Sequence, residues 1–209
     1  MKFEPEFKRA ISQLPSAEKD KLIFRLLKYD LVLANRLNFE LLSSKNVDER
    51  RAEMEIIVKT NVEKMTNYFH SPGYLMMDMR YLSGEITTHV KTTKDKFGEI
   101  SLNLLMLNEV LRLNNKNIDQ SKAVKSYKFC IYVIARAFKI LILINALHED
   151  YRIEFNDNLI NLGELISESN YLMQTAIRNG FDVNWLLKAD IPKNINEIHR
   201  KIRNEGFLV

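Results

Sequence analysis

The feature that most constrains this chain is an almost wholly apolar run of 19 residues, from Phe129 to Leu147. A run of that length is near what a membrane span requires. Arg136 and Lys139 lie near its middle, however, and each would cost about 2.5–3.5 kcal/mol in lipid. A helix surrounded by other helices buries the same apolar residues without placing charge in hydrocarbon. The run therefore predicts a central core helix at about residues 120–148 and no membrane span.

Helical periodicity extends over the rest of the chain. Its 209 residues include only 6 glycines and 4 prolines, too few for the frequent turns of an all-β fold. Apolar residues recur at spacings of three and four in successive segments, with no internal repeat and no linker between them. We therefore predict an all-α protein, a single bundle-like domain over residues 1–209 with about seven to nine helices.

Local signals give more detailed expectations for the helix boundaries. A stripe of Leu22, Ile23, Leu26 and Leu27 predicts an early helix that turns these side chains inward. Residues 72–115 keep one helical phase, which allows a single long helix, but their glycines and threonines favour a break between residues 91 and 96. Residues 114–119 are predicted as a loop and residues 159–178 as one helix.

One basic stripe follows the apolar central helix. Steps of three and four place its members on one face about 21 Å long. The members are Lys125, Lys128, Tyr132, Arg136 and Lys139. The stripe has the chemistry of an anion-binding site, but it also fits a solvated face, or pairing with Asp78 or Glu109 on neighbouring helices. We expect internal pairing to satisfy Arg136 and Lys139 to remain partly in water.

An acidic cluster follows the same helix. Asp150, Glu154 and Asp157 would share one face if the helix continued, at a spacing that can hold a hard cation such as Mg²⁺. The alternative is a set of solvated acids at a helix boundary, where Asp157 would be the N-cap of the next helix. The four histidines have no metal-binding spacing.

Two segments resemble a family of uncharacterised, all-helical bacterial proteins of about 200 residues: Tyr74–Leu111 and Asn179–Leu187. The resemblance implies an all-helical fold and brings no site. All-α nucleotide pyrophosphohydrolases, in contrast, bind magnesium through Glu-x-x-Glu on one helix and Glu-x-x-Asp on the next. This chain has no Glu-x-x-Glu, and its Glu154–Asp157 segment falls at a predicted helix boundary. No catalytic residue is therefore assigned.

Charge and cysteine content restrict the partners and the compartment. The 31 basic and 27 acidic residues give a net charge of +4, which permits acidic partners without requiring one. Lysines 91, 94 and 96 and lysines 116, 122 and 125 are expected at opposite poles of a helix pair, which disfavours binding of duplex nucleic acid. The lone Cys130 excludes a disulfide framework and fits the cytoplasm.

Two functions follow as hypotheses. The first is a non-enzymatic cytoplasmic protein that binds a protein partner, a second copy of itself or an acidic polymer, with no cofactor. The alternative is a metal-dependent hydrolase of a phosphorylated small molecule, with Mg²⁺ bound by the acidic cluster. A basic groove without convergent carboxylates favours the first function, and carboxylates that converge within about 5 Å favour the second.

Overall fold

The structure is a computed structural model that describes residues 3–208, and the predicted all-α fold class is confirmed. No β-strand occurs within that range. The helices are α1 (Pro5–Gln13), α2 (Ser16–Tyr29), α3 (Leu31–Leu42), α4 (Val47–Asn67), α5 (Pro72–Thr93), α6 (Lys96–Asp119), α7 (Ala123–Asn145), α8 (Glu149–Arg152), a 3-10 turn (Ile153–Phe155), α9 (Asn156–Glu168), α10 (Asn170–Arg178), α11 (Asn184–Leu187) and α12 (Ile195–Asn204). These twelve α-helices between residues 3 and 208 exceed the expected seven to nine. Two of them are single turns, and Ser169 divides the expected helix 159–178 into α9 and α10.

Helices α6 and α7 form the centre of the fold. Helix α7 packs against α5, α6, α10 and α12, while α6 packs against α4, α5, α7 and α9. Eleven residues of α7 and twelve of α6 are buried. The expected central helix at about 120–148 is thus present as α7, and α6 shares its position. Among the helices of residues 3–208, none has the length and apolarity needed to span a membrane.

The chain reverses between α5 and α6, within the interval where a break is expected. Lys94 has a φ of 61°, in the left-handed region, which ends α5. The next residue, Asp95, accepts a hydrogen bond from the Gly98 backbone N–H at 2.7 Å and so caps the start of α6. A Cβ on Gly98 would lie 2.1 Å from the Asp95 carboxylate, so this cap requires a glycine.

A buried ion pair joins this turn to α4. Arg51 donates from Nε and Nη2 to the two carboxylate oxygens of Asp95, at 2.6 and 2.8 Å. The Asp95 side chain is only 3% exposed, and the Arg51 guanidinium also lies 4.8 Å from the centre of the Phe97 ring. The hydrogen bonds to Asp95 raise the pKa of Arg51 above its ordinary value. The pair fixes α4 against the α5–α6 turn because neither charge has full access to water.

The predicted loop at residues 114–119 is wrong, since α6 continues to Asp119. Its asparagines make tertiary hydrogen bonds instead of ending the helix. Asn114 Nδ2 donates to Thr66 Oγ1 of α4 at 2.8 Å, and Asn115 Nδ2 donates to the Leu165 carbonyl of α9 at 2.8 Å. These bonds connect α6 to α4 and to α9.

Helices α1 to α3 form an N-terminal arm, residues 3–42, outside the core. Helix α3 packs on α5, and α2 packs on α3. No residue of these three helices is buried. The stripe expected to point inward from α2 is only partly covered, with Ile23 48% and Leu26 56% exposed. The stripe has the periodicity of a buried face, but α2 packs only on α3, and a single neighbouring helix covers only part of the stripe.

The first prediction tests the central position of α7. Phe138 is fully buried, and its ring lies 5.0 Å from Phe181 and 5.1 Å from His199, centre to centre. Phe138→Ala should lower the free energy of unfolding by about 3–5 kcal/mol, because it leaves a cavity beside Phe181 and His199. Urea denaturation measures the loss.

Ile177→Ala, at a position 67% exposed, is the control and should change stability by less than about 0.5 kcal/mol. A loss below about 1 kcal/mol for Phe138→Ala would show that α7 is peripheral.

Candidate functional site

Helices α5 and α7 lie side by side and bring a set of basic residues to the surface. Lys125 and Lys128, in the first turns of α7, are exposed. With His70 and Tyr74 they border an open depression of about 510 Å³ between the start of α5 and the start of α7. This end of the predicted stripe therefore faces an accessible concave surface.

Farther along α7, the stripe continues through a stacked pair of side chains. Arg136 Nε donates to the Tyr132 hydroxyl at 3.3 Å, and its guanidinium lies 5.4 Å from the centre of the Tyr132 ring. Arg80 of α5 lies 6.0 Å from the same ring centre. Both guanidinium groups thus lie within cation–π distance of one tyrosine ring, with Arg80 at the outer limit of that distance.

The expected pairing of Arg136 with Asp78 or Glu109 is wrong. Lys139 is 52% exposed, so it is partly solvated as expected, and it also lies 3.5 Å from a Glu99 carboxylate oxygen. Glu109 forms its ion pair with Arg112 on its own helix. Asp78 lines a separate depression between α4 and α5. Neither expected partner therefore reaches Arg136, because the orientation of each acid depends on helix rotations that residue spacing does not specify.

We call the resulting surface the basic face. It consists of Arg80, Lys125, Lys128, Tyr132 and Arg136. Among residues 3–208, none of its four cationic groups takes part in an ion pair with an N–O distance of 4.0 Å or less. From residue 125 to residue 136 it extends about 16 Å along α7. Four cations on one accessible surface, two of them beside the Tyr132 ring, can bind the carboxylates or phosphates of a ligand.

Sequence reasoning missed Arg80. It lies in the segment rich in methionine and tyrosine at the start of α5, and only the neighbouring position of α5 and α7 brings it to Tyr132. A basic residue on the exposed side of a helix predicted to neighbour α7 was the one available signal. Such a residue is common on any helix surface, so the signal alone is weak.

The acidic cluster is divided among three elements. Asp150 lies in α8, Glu154 in the 3-10 turn and Asp157 in α9, so a 3-10 turn interrupts the α-helix that would align them at i, i+4 and i+7. Asp157 is in the first turn of α9 and is not its N-cap, which is Phe155. Within the described part of the chain, no group of three or more His, Cys, Asp or Glu side chains is arranged to hold a metal ion.

Among the other reactive side chains, Cys130 is buried, and His89 and His199 are half-buried. Burial raises the pKa of the Cys130 thiol to about 12, so it is a protonated core residue at neutral pH. Burial also lowers the pKa of His89 and of His199, which keeps both side chains uncharged at neutral pH. These groups lie outside the basic face and are not paired as a nucleophile and its base.

Comparison with known proteins gives no further assignment. No family model, no curated protein and no solved structure matches the chain. The resemblance of residues 74–111 to all-helical bacterial proteins thus stays an expectation.

The second prediction concerns Arg136. Arg136→Met keeps most of the apolar stem and leaves no buried carboxylate without a partner, so the free energy of unfolding should fall by less than about 1 kcal/mol. Thermal or urea denaturation measures this. Arg51→Met is the matched comparison and should cost about 3–5 kcal/mol, because it leaves Asp95 charged and buried. An equally large loss at position 136 would contradict a basic face that is free of internal pairing.

Proposed function

We propose that this chain is a non-enzymatic helical protein that binds an acidic segment of a protein partner, or another acidic polymer, on the basic face. One observation carries the proposal: Lys125, Lys128, Arg80 and Arg136 share a surface on which, among residues 3–208, they have no carboxylate partner. Cations held in this way attract anions spaced along a chain, since each anion gains one or two charge-assisted hydrogen bonds. The proposal requires no cofactor.

Duplex nucleic acid suits this surface less well than a single acidic chain. The lysines at 91, 94 and 96 and those at 116, 122 and 125 lie toward opposite ends of α6, about 30 Å apart along its axis. Two clusters that far apart do not by themselves make the continuous row of phosphate contacts that a duplex requires. The buried free thiol of Cys130 fits a reducing compartment, and we expect the protein to act in the cytoplasm.

The alternative function, a metal-dependent hydrolase, gains no supporting geometry. It needs carboxylates that converge on one cation, and among residues 3–208 no group of three or more His, Cys, Asp or Glu side chains is arranged in that way. No other observation favours it.

The third prediction tests binding at the basic face. The probe is fluorescently labelled poly-glutamate, titrated with the full chain at low ionic strength and followed by fluorescence anisotropy. The triple variant Lys125→Gln, Lys128→Gln, Arg136→Gln should raise the dissociation constant at least about tenfold, which corresponds to about 1.4 kcal/mol. Labelled polyphosphate, as a second probe, compares phosphates with carboxylates.

The control has the same loss of charge at another surface. Lys188, Lys193 and Lys201 are exposed lysines toward the C-terminus, and their triple change to Gln should alter the dissociation constant by less than about twofold. Equal weakening by the two triple variants would show that the probe responds to net charge alone, and would contradict the proposal. Unchanged binding by the basic-face variant would contradict it as well.

A further inference from the structure

The N-terminal arm exposes many large apolar side chains. Twelve large hydrophobic side chains between Phe3 and Leu42 are exposed, including Phe24 (65%), Leu41 (76%) and Leu42 (77%). At roughly 150 Å² for a fully exposed large side chain, their exposed fractions amount to on the order of 1,000 Å². A stable protein interface buries about 800 Å² on each partner, so the arm carries enough surface for one.

Helix α3 strengthens this argument through its composition. Eight of its twelve residues are apolar, and they are distributed around the whole helix. A helix that is apolar on all sides is ordinarily buried on all sides. Here α3 rests on α5 and α2, and none of its residues is buried. The sequence of α3 is that of a covered helix, and this chain alone does not cover it.

The charges of α2 indicate what the covering partner is. An open groove of about 370 Å³ lies along α2, and it is lined by the apolar Leu14 and Leu22 and by the charged Glu18, Lys21 and Arg25. Glu18 and Arg25 are seven residues apart, on the same side of the helix and on opposite sides of Leu22. Two such helices packed antiparallel about a two-fold axis near Leu22 would place each Glu18 beside the Arg25 of the other copy. The groove is therefore complementary to itself, as an isologous interface requires.

We propose that the N-terminal arm is a dimerisation surface, in which α2 pairs antiparallel with α2 of a second copy of this chain and helps to cover α3. The surface is separate from the basic face, so the proposal does not rest on the proposed function. A dimer with this geometry also places two basic faces in one assembly, which would increase the affinity for a long acidic chain.

The test is sedimentation velocity of the full chain from about 1 to about 100 µM, the range in which an interface of this size associates measurably. We expect a concentration-dependent monomer–dimer equilibrium. Glu18→Arg and Arg25→Glu each place like charges opposite each other, and each should weaken dimerisation at least about tenfold. The double variant Glu18→Arg, Arg25→Glu restores the opposite charges and should return the dissociation constant to within about threefold of the original.

Both changed side chains are charged and exposed, so the variants test the interface without disturbing a core. Glu205→Arg is the matched control, an exposed charge reversal in the last residues of the chain, and should leave the equilibrium unchanged. Far-ultraviolet circular dichroism checks that helix content is retained. A chain that stays monomeric up to about 100 µM would overturn the proposal. So would a dimer that both single variants leave intact, or a monomer whose arm binds vesicles of anionic lipid instead.

Discussion

The fold depends on the need to bury an apolar helix that carries one charged stripe. Helix α7 is almost wholly Leu, Ile, Val, Phe and Ala on every side but one, and that side is basic. Burying it requires neighbours on most of its circumference, which α5, α6, α10 and α12 supply. The stripe must stay in contact with water, because several unpaired cations in a core would cost more than the burial gains. The same constraint therefore creates both the core and the basic face.

The buried ion pair of Arg51 and Asp95 makes a second contribution to this architecture. It lies where α5 turns into α6, and so connects these two neighbours of α7 to the start of α4. A buried pair adds little net stability compared with an apolar replacement, but removing one partner is costly. We interpret it as a device that selects one arrangement of α4, α5 and α6, since a different turn would leave Asp95 buried without a donor.

The structural features that could be predicted from the sequence are those that depend on hydrophobic periodicity and on local helix capping. The apolar run at 129–147, the break before Lys96 and the basic stripe on α7 are all properties of single segments, and the structure contains each of them. Residues 114–119 were misassigned because asparagine disfavours helices in isolation, whereas Asn114 and Asn115 form hydrogen bonds to other helices that only the tertiary fold supplies.

The candidate site shows the same division between local and tertiary information. Four of the five residues of the basic face were identified from spacing on α7, while Arg80 enters through the packing of α5. The ion partner of Lys139 is Glu99, on a helix whose rotation was not predictable from its own sequence. The sequence also does not show how much of an apolar stripe the fold covers. The stripe of α2 has the periodicity of a buried face, yet it is about half-exposed. Spacing indicates which side chains share a face, and packing decides what that face contacts.

The central claim is that α6 and α7 form the core on which the other helices depend. Native-state hydrogen exchange, measured amide by amide, tests it most directly. The account predicts that the amides of residues 130–141 in α7 exchange only by global unfolding, with the free energy obtained from denaturation. The amides of α1 and α2 should exchange at least about tenfold faster, through local opening. Amides in α7 that exchange as fast as those of α1 and α2 would contradict the account.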